Sequence, residues 1–161
     1  MSDVPDITKP IELDYLYNAA DKLYGRFARE CGVSNCAYWM LYDLARDGGA
    51  IPITRLCGDW SYSKQTINSA LKSLEARELI HLEYVAGSRR NKLAVMTDAG
   101  AAFAARHIRP AMEAEERAFC TLTPEERAIM MTLTRKYTAA LEAEFARMAV
   151  DERLDGKGGG A

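Results

Sequence analysis

The chain has 161 residues, of which 48% are hydrophobic and 27% charged, and its formal net charge is −2. This composition is typical of one folded domain with a proper core, and it excludes an intrinsically disordered chain. No apolar run approaches the roughly 18 residues that a membrane-spanning helix requires. The acidic, polar start MSDVPDITKP lacks the features of a secretory signal. The four cysteines are therefore expected to be reduced thiols in a cytoplasmic protein.

Two helices are predicted before residue 50. Apolar residues at steps of three and four predict an amphipathic helix that begins near Ile11 and ends at Gly32. Ser34 is a suitable N-cap for a second helix, and the pair Gly48-Gly49 ends it.

The central part of the chain, residues 61–96, combines a short helix with two β-rich runs. The helix has an apolar face at helical spacing and an opposite polar face without an acidic residue from 64 to 74. Its apolar face is formed by Ile67, Ala70, Leu71 and Leu74. Two runs, 80–85 and 93–96, flank a basic turn with the sequence GSRRN. A donor-rich helix followed by a basic hairpin is the arrangement with which a winged helix binds DNA.

The charge of the chain is unevenly distributed. From Arg55 to Lys92 there are seven Lys or Arg residues and four Asp or Glu residues, a local charge of +3 that leaves −5 for the remainder. A basic centre within an acidic chain is compatible with a nucleic-acid partner, although the total charge alone argues against one.

Two long helices are predicted after the hairpin. Thr97 is the N-cap of the first, which is expected to continue through Pro110 with a kink. The second begins with a capping box, in which Thr123 is the cap, a proline follows it and Glu126 completes the box. Residues 150–161 have too little apolar content to pack and are expected to be disordered.

Several short motifs occur along the chain in a definite order and spacing. They are Ser63-Lys64-Gln65-Thr66-Ile67 and Leu71-x-x-Leu74-Glu75 in the central helix, Leu79-Ile80 entering the hairpin, Arg90-Asn91-Lys92 at its turn, and Met96-Thr97-x-x-Gly100 leaving it. Together they resemble the MarR-type winged helix-turn-helix transcriptional regulators, and the resemblance extends over residues 11–148. It implies a mainly α fold with a small β-hairpin wing and long N- and C-terminal dimerisation helices.

Two positions depart from the family pattern. Glu78 stands where the family usually has a glycine, so it either adopts a positive φ or the helix ends in another way. The turn also lacks the family's aspartate-x-arginine pair, whose aspartate orients an arginine. Which of Arg89 and Arg90 would enter a groove of DNA is therefore open, and alignment favours Arg90.

The resemblance places the DNA-binding residues on the central helix and the wing. They are Ser63, Lys64, Gln65, Thr66, Asn68, Ser69 and Lys72 on the helix and Arg89, Arg90, Asn91 and Lys92 on the wing. Amide and hydroxyl groups can bind base edges in the major groove, lysines can bind phosphates or guanine, and arginines suit a narrow minor groove. An ordinary surface helix and a solvated turn are the alternative interpretations.

The resemblance also implies a pocket for an effector. Tyr38, Trp39 and Tyr42 fall near the place where the family binds small molecules, between the dimerisation helices and the winged domain, and His107 could face the same region. The implied effector is a small aromatic or phenolic compound. Core packing is the alternative for the three aromatic residues, and a structural role is the alternative for His107.

The sequence gives little support for a metal site, a redox site or a catalytic site. Cys31, Cys36, Cys57 and Cys120 lack the paired spacing of a structural zinc site, so neither metal nor cofactor is expected. Buried, unreactive thiols are the favoured interpretation, and redox sensing is the alternative. The sequence has no phosphate-binding loop, nucleophile elbow or HExxH motif, which argues against an enzyme.

The sequence thus predicts a DNA-binding transcriptional regulator. The winged helix-turn-helix spans 34–96, and the dimerisation region comprises 11–31 and 97–149, because a second copy is the simplest cover for three long apolar stripes. Such a homodimer would bind a pseudo-palindromic operator and act as a ligand- or stress-responsive repressor. The alternative is a winged-helix adaptor that binds protein instead of specific DNA.

Overall fold

The structure, a computed structural model, describes residues 9–59, 62–85, 87–88 and 91–155, without the side chains of 57–59 and 149–155. Its α-helices are α1 (Pro10–Glu30), α2 (Asn35–Arg46), α3 (Ile53–Asp59), α4 (Lys64–Ala76), α5 (Asp98–Phe103), α6 (Arg109–Phe119) and α7 (Pro124–Asp155). Its strands are β1 (Ala50–Pro52), β2 (Ile80–Tyr84) and β3 (Lys92–Met96). In the described part of the chain, no helix is long and apolar enough to cross a membrane.

The helices begin where the sequence places their caps. Ser34 Oγ accepts a hydrogen bond from the backbone N–H of Ala37 at 3.2 Å, which caps α2. At the start of α7, Thr123 Oγ1 accepts from the Glu126 N–H at 3.2 Å and the Glu126 carboxylate accepts from the Thr123 N–H at 2.8 Å. Both bonds of the predicted capping box are therefore formed.

The strands form one antiparallel sheet in the order β1-β3-β2. The predicted β2–β3 hairpin is present, and β1 pairs with the other edge of β3. Ile51 of β1 and Leu82 of β2 both lie opposite Ala94 of β3. Ile51 and Ala94 are buried, so this face of the sheet packs on the helices.

Helix α2 lies at the centre of the hydrophobic core. Eight of its twelve residues are buried, and Tyr38, Leu41 and Leu44 are almost completely inaccessible. The same core includes Leu74 of α4 and Ile108, which follows α5. The apolar face of α4 is thus fixed against α2, which leaves its polar face free.

The helix that follows the hairpin continues through Pro110 by a local change of its hydrogen-bond register. Ala104–Ile108 form a π-helical turn between α5 and α6, and the N–H of Arg109 bonds to the carbonyl of Ala104. A proline has no N–H and its ring crowds the carbonyl four residues before it, so a wider turn ahead of it relieves the clash. The predicted continuation of the helix is observed, with this turn at the proline.

The described residues form two compact units that divide between Glu113 and Ala114. The first unit includes α1, because the rings of Tyr24 and Phe27 pack against Tyr38 of α2 at centroid distances of 6.3 and 5.8 Å. The predicted division into dimerisation and DNA-binding regions is a functional one and stays a prediction.

The C-terminal helix is longer than the sequence analysis expects. Helix α7 extends to Asp155, so residues 150–155 are helical rather than disordered. Glu152, Arg153 and Leu154 are good helix formers, and a helix that is already started can extend without tertiary contacts. Residues 156–161 lie outside the described residues.

Candidate nucleic-acid interface

Helix α4 presents its predicted binding residues to solvent. Ile67 and Leu74 are buried on its apolar side. All of the predicted residues on its other side are exposed, namely Ser63, Lys64, Gln65, Thr66, Asn68, Ser69 and Lys72. The structure therefore exposes all seven side chains, at the N-cap and along the part of α4 that is not buried.

Two of the seven residues also build the start of the helix. Ser63 Oγ accepts a hydrogen bond from the Thr66 N–H at 3.1 Å and lies 2.8 Å from Thr66 Oγ1. These hydroxyl groups stabilise the first turn of α4. The amides of Gln65 and Asn68 and the hydroxyl of Ser69 are the remaining neutral donors and acceptors on this face.

The exposed face of α4 favours a negatively charged ligand. Neither Lys64 nor Lys72 forms an ion pair with a described residue, and no acidic residue lies between them. The N-terminus of a helix carries a partial positive charge, which adds to that of Lys64. Neutral hydrogen-bonding groups between two lysines suit a ligand that combines anionic groups with polar edges.

Two basic residues of the central part are bound within the protein. Arg55 forms an ion pair with Asp47. Arg77 donates a hydrogen bond to the carbonyl oxygen of Gly32 at 2.8 Å, and its guanidinium lies 5.2 Å from the ring centroid of Phe103. Of the seven basic residues counted from Arg55 to Lys92, these two are therefore less available to a ligand.

Thr97 and Gly100 hold the corner between α4 and β2, a role additional to the cap that the sequence predicts for Thr97. Glu78 has φ 57°, so the positive φ, one of the two predicted possibilities, is the one observed. Thr97 Oγ1 donates to the Glu78 carbonyl at 2.6 Å, and the Thr97 N–H donates to the Leu79 carbonyl at 3.1 Å. Gly100 touches the same carbonyl so closely that a Cβ atom there would lie 1.9 Å from the oxygen. Thr97 and Gly100 thus set the direction in which the hairpin leaves α4.

Two hydrogen bonds connect described residues on the two sides of the hairpin turn. The Val85 N–H donates to the Asn91 carbonyl at 2.9 Å, and the Asn91 N–H donates to Ser88 Oγ at 3.0 Å. Asn91 is exposed and Lys92 is half-buried. The other two predicted wing residues, Arg89 and Arg90, lie outside the described residues.

The residues suggested for an effector pocket make close contacts within the protein. Tyr38 is fully buried and Trp39 is 8% exposed. The ring centroid of Trp39 lies 5.4 Å from that of Tyr38 and 5.2 Å from that of Tyr42, and His107 lies 4.6 Å from Phe103. These distances match core packing, so a ligand could reach Tyr38 and Trp39 only if the core rearranged.

The cysteines lie in three different environments. Cys36 is buried, Cys31 is half-buried and Cys120 is exposed, whereas the side chain of Cys57 lies outside the described part. Burial, with a smaller effect of Glu30, raises the pKa of Cys31 and favours its unreactive thiol. The exposure of Cys120 departs from the expectation of buried thiols. The described residues contain no group of three or more His, Cys, Asp or Glu side chains that could hold a metal ion.

Neither a protein-family model nor a curated protein matches the sequence. Solved structures do match. The chain is similar to NMB1585, a MarR family regulator from Neisseria meningitidis, with 21% identity and a TM-score of 0.72 over 84% of this chain and 95% of that chain. It is also similar to AbsC, a MarR family transcriptional regulator from Streptomyces coelicolor, with 18% identity and a TM-score of 0.69 over 89% and 97% of the two chains.

A third match was solved with nucleic acid. It is MepR from S. aureus in complex with DNA, with 16% identity and a TM-score of 0.64 over 80% of this chain and 94% of that chain. These similarities establish the fold, a winged helix of the MarR type, as the sequence analysis predicts. At such identities they establish the fold alone, and the function is argued from the residues of this chain.

Proposed function

We propose that this protein is a sequence-specific DNA-binding transcriptional regulator that acts as a homodimer. The observation that carries the proposal is the exposed face of α4, where neutral donors and acceptors lie between two lysines that form no ion pair with a described residue. Duplex DNA offers the matching combination, since its phosphates are anionic and its base edges are polar.

The chemistry of each side chain supports a role in the major groove. The amides of Gln65 and Asn68 can each donate and accept, which suits a bidentate contact with adenine. Lys64 and Lys72 can bind phosphates or guanine. The first residues of a recognition helix are the ones that reach base edges, and these four lie within its first nine positions.

The wing is proposed to contact the same duplex beside the recognition helix. Asn91 and Lys92 follow its turn, and Arg89 and Arg90 are proposed to approach the minor groove, whose negative potential attracts arginine.

Exposed apolar surface supports the homodimer. In α1, Tyr15, Leu16 and Leu23 each have more than half of their surface accessible. In α7 the same holds for a second set, Ile129, Leu133, Phe145 and Met148. Large apolar residues repeated along a helix need a cover in water, and a second copy would supply it. Two copies would also pair two recognition helices for a pseudo-palindromic operator.

We further propose that the protein is a repressor and that an effector controls its binding to DNA. Tyr42 and His107 are partly exposed, so a small aromatic effector would reach these two before Tyr38 or Trp39. An effector that changes the separation of the two winged regions would change operator affinity, typically by about 1–3 kcal/mol. Titration of the DNA complex with a hydroxybenzoate as the probe tests this part.

The main experiment measures binding to a fluorescent duplex by anisotropy at several salt concentrations. A DNA-binding protein should lose affinity steeply as salt rises, and Lys72→Ala should make the logarithmic slope shallower by about 0.9 if Lys72 binds a phosphate. Lys136→Ala is the matched control, since Lys136 is exposed on α7. Absence of any duplex affinity would contradict the proposal and favour the protein-binding adaptor. A monomer in size-exclusion chromatography at micromolar concentration would contradict the homodimer.

A further inference from the structure

We propose that Tyr84 of the wing is a further DNA-backbone contact, whose phenol donates a hydrogen bond to a phosphate oxygen and whose ring positions the ammonium of Lys92. This inference rests on the proposed DNA-binding function and deepens it. It starts from the position of Tyr84 at the distal end of the hairpin.

Tyr84 lies on the face of the sheet that packs against the helices, one step beyond its buried part. Side chains alternate between the faces of a strand, so Ile80, Leu82 and Tyr84 share a face. Their partners on β3 are Met96, Ala94 and Lys92. Ile80 and Ala94 are buried in the core that contains the apolar face of α4, whereas Tyr84 is 61% exposed. The Tyr84–Lys92 pair therefore extends the α4-facing surface of the wing past the core.

Tyr84 and Lys92 contact each other, although a solvated turn would not require such a contact. The Lys92 Nζ atom lies 5.1 Å from the centroid of the Tyr84 ring, a cation–π contact that restrains the ammonium. Lys92 has no ion pair with a described residue, so none of these residues compensates its charge. The Tyr84 hydroxyl likewise makes no hydrogen bond within the described residues. Two donors thus lie side by side, and no described residue supplies an acceptor for either of them.

The other face of the same strand differs in its chemistry. There His81 Nε2 lies 2.7 Å from a carboxylate oxygen of Glu83, so the acidic group is already bound by its neighbour. A phosphate oxygen accepts hydrogen bonds and carries the charge that Lys92 attracts, and tyrosine and lysine are both common phosphate contacts. The Tyr84 face therefore fits the duplex backbone, and the His81 face does not.

The experiment compares three single variants with the wild type on one duplex. Wild-type protein first selects a binding sequence from a pool of random duplexes, and anisotropy titrations then use that sequence at several salt concentrations. Tyr84→Phe keeps the ring and should weaken binding about tenfold with an unchanged salt slope, because the lost hydroxyl is neutral. Lys92→Ala should weaken binding and make the slope shallower by about 0.9. His81→Gln, on the opposite face, should bind like the wild type.

The possible outcomes separate this inference from the proposed function. If the wild type selects no sequence and binds no duplex, both are wrong. If the wild type binds and Tyr84→Phe binds equally well, the role of Tyr84 is wrong while the proposed function stands. A Tyr84→Phe protein with a changed salt slope would also overturn the inference, because the substitution would then have altered a charged contact. A lower unfolding temperature in the absence of DNA would overturn it too, because a packing role would then explain the loss.

Discussion

Replacement of Gly100 by alanine should destabilise the protein, although alanine normally favours a helix. A Cβ atom at residue 100 would lie 1.9 Å from the carbonyl oxygen of Leu79 and 2.8 Å from Cγ of Met96. That carbonyl accepts the N–H of Thr97 at 3.1 Å, so it cannot move without breaking a second contact. Either α5 or the corner between α4 and β2 must therefore shift.

The expected loss is the balance of opposing effects. Overpacking of a tight site costs about 1–3 kcal/mol. Loss of the bond between Thr97 and Leu79 adds about 1 kcal/mol. Alanine recovers up to about 1 kcal/mol through its helix propensity. The net loss is about 2 kcal/mol, which for a chain of this length lowers Tm by about 4–8 °C.

Gly25 in α1 provides the matched control. Among the described residues, a Cβ atom there would meet only Nη1 of Arg29, at an ordinary distance of 3.7 Å. Gly25→Ala should therefore raise the free energy of unfolding by about 0.5–1 kcal/mol. Urea and thermal unfolding at one fixed protein concentration measure both variants, because dimerisation would make stability depend on concentration. A Gly100→Ala protein as stable as the wild type would refute the close approach of α5 to the Leu79 carbonyl.

Three further substitutions test other local features. Glu78→Gly should raise the unfolding free energy by about 0.5–1 kcal/mol in urea titrations, since it removes a side chain from a left-handed backbone; a lower value would contradict the strain. Thr123→Ala should cost about 1 kcal/mol and reduce helicity in circular dichroism, and unchanged helicity would count against the cap. Hydrogen bonds from Arg46 and Arg55 lower the pKa of Asp47. The contribution of the Asp47 carboxylate to protein stability is therefore complete above the unfolded pKa of about 3.9 and is lost as pH falls through the lower folded pKa. The stability difference between wild type and Asp47→Asn should accordingly shrink below about pH 4, and a constant difference would contradict this ionic role.

The candidate site shows where sequence reasoning succeeds and where it stops. The polar face of α4 is predicted correctly because helical spacing alone decides which side chains lie opposite Ile67 and Leu74. The sequence analysis misses the roles of Arg55 and Arg77 because helical or strand spacing does not relate either residue to its partner. Arg77, for example, binds the carbonyl of Gly32, 45 residues earlier in the chain.

The aromatic residues of α2 illustrate the same limit. Tyr38, Trp39 and Tyr42 are consistent in sequence with either a core or a pocket, since both need aromatic side chains. Only the approach of Tyr24 and Phe27 from α1 shows that Tyr38 and Trp39 are enclosed by other rings. Sequence periodicity places them on one helix but does not say what lies against them.

The sequence by itself determines the local structure of this protein. Ser34, Ser63, Thr97 and Thr123 each accept a backbone N–H three residues further on, so these helix starts depend only on near neighbours. Contacts between distant segments decide the rest: the pairing of β1 with β3, the left-handed corner at Glu78, and the face of the hairpin on which Tyr84 lies. A cap depends only on its own turn of helix. The other features depend on a second segment, and the local sequence does not predict where that segment lies.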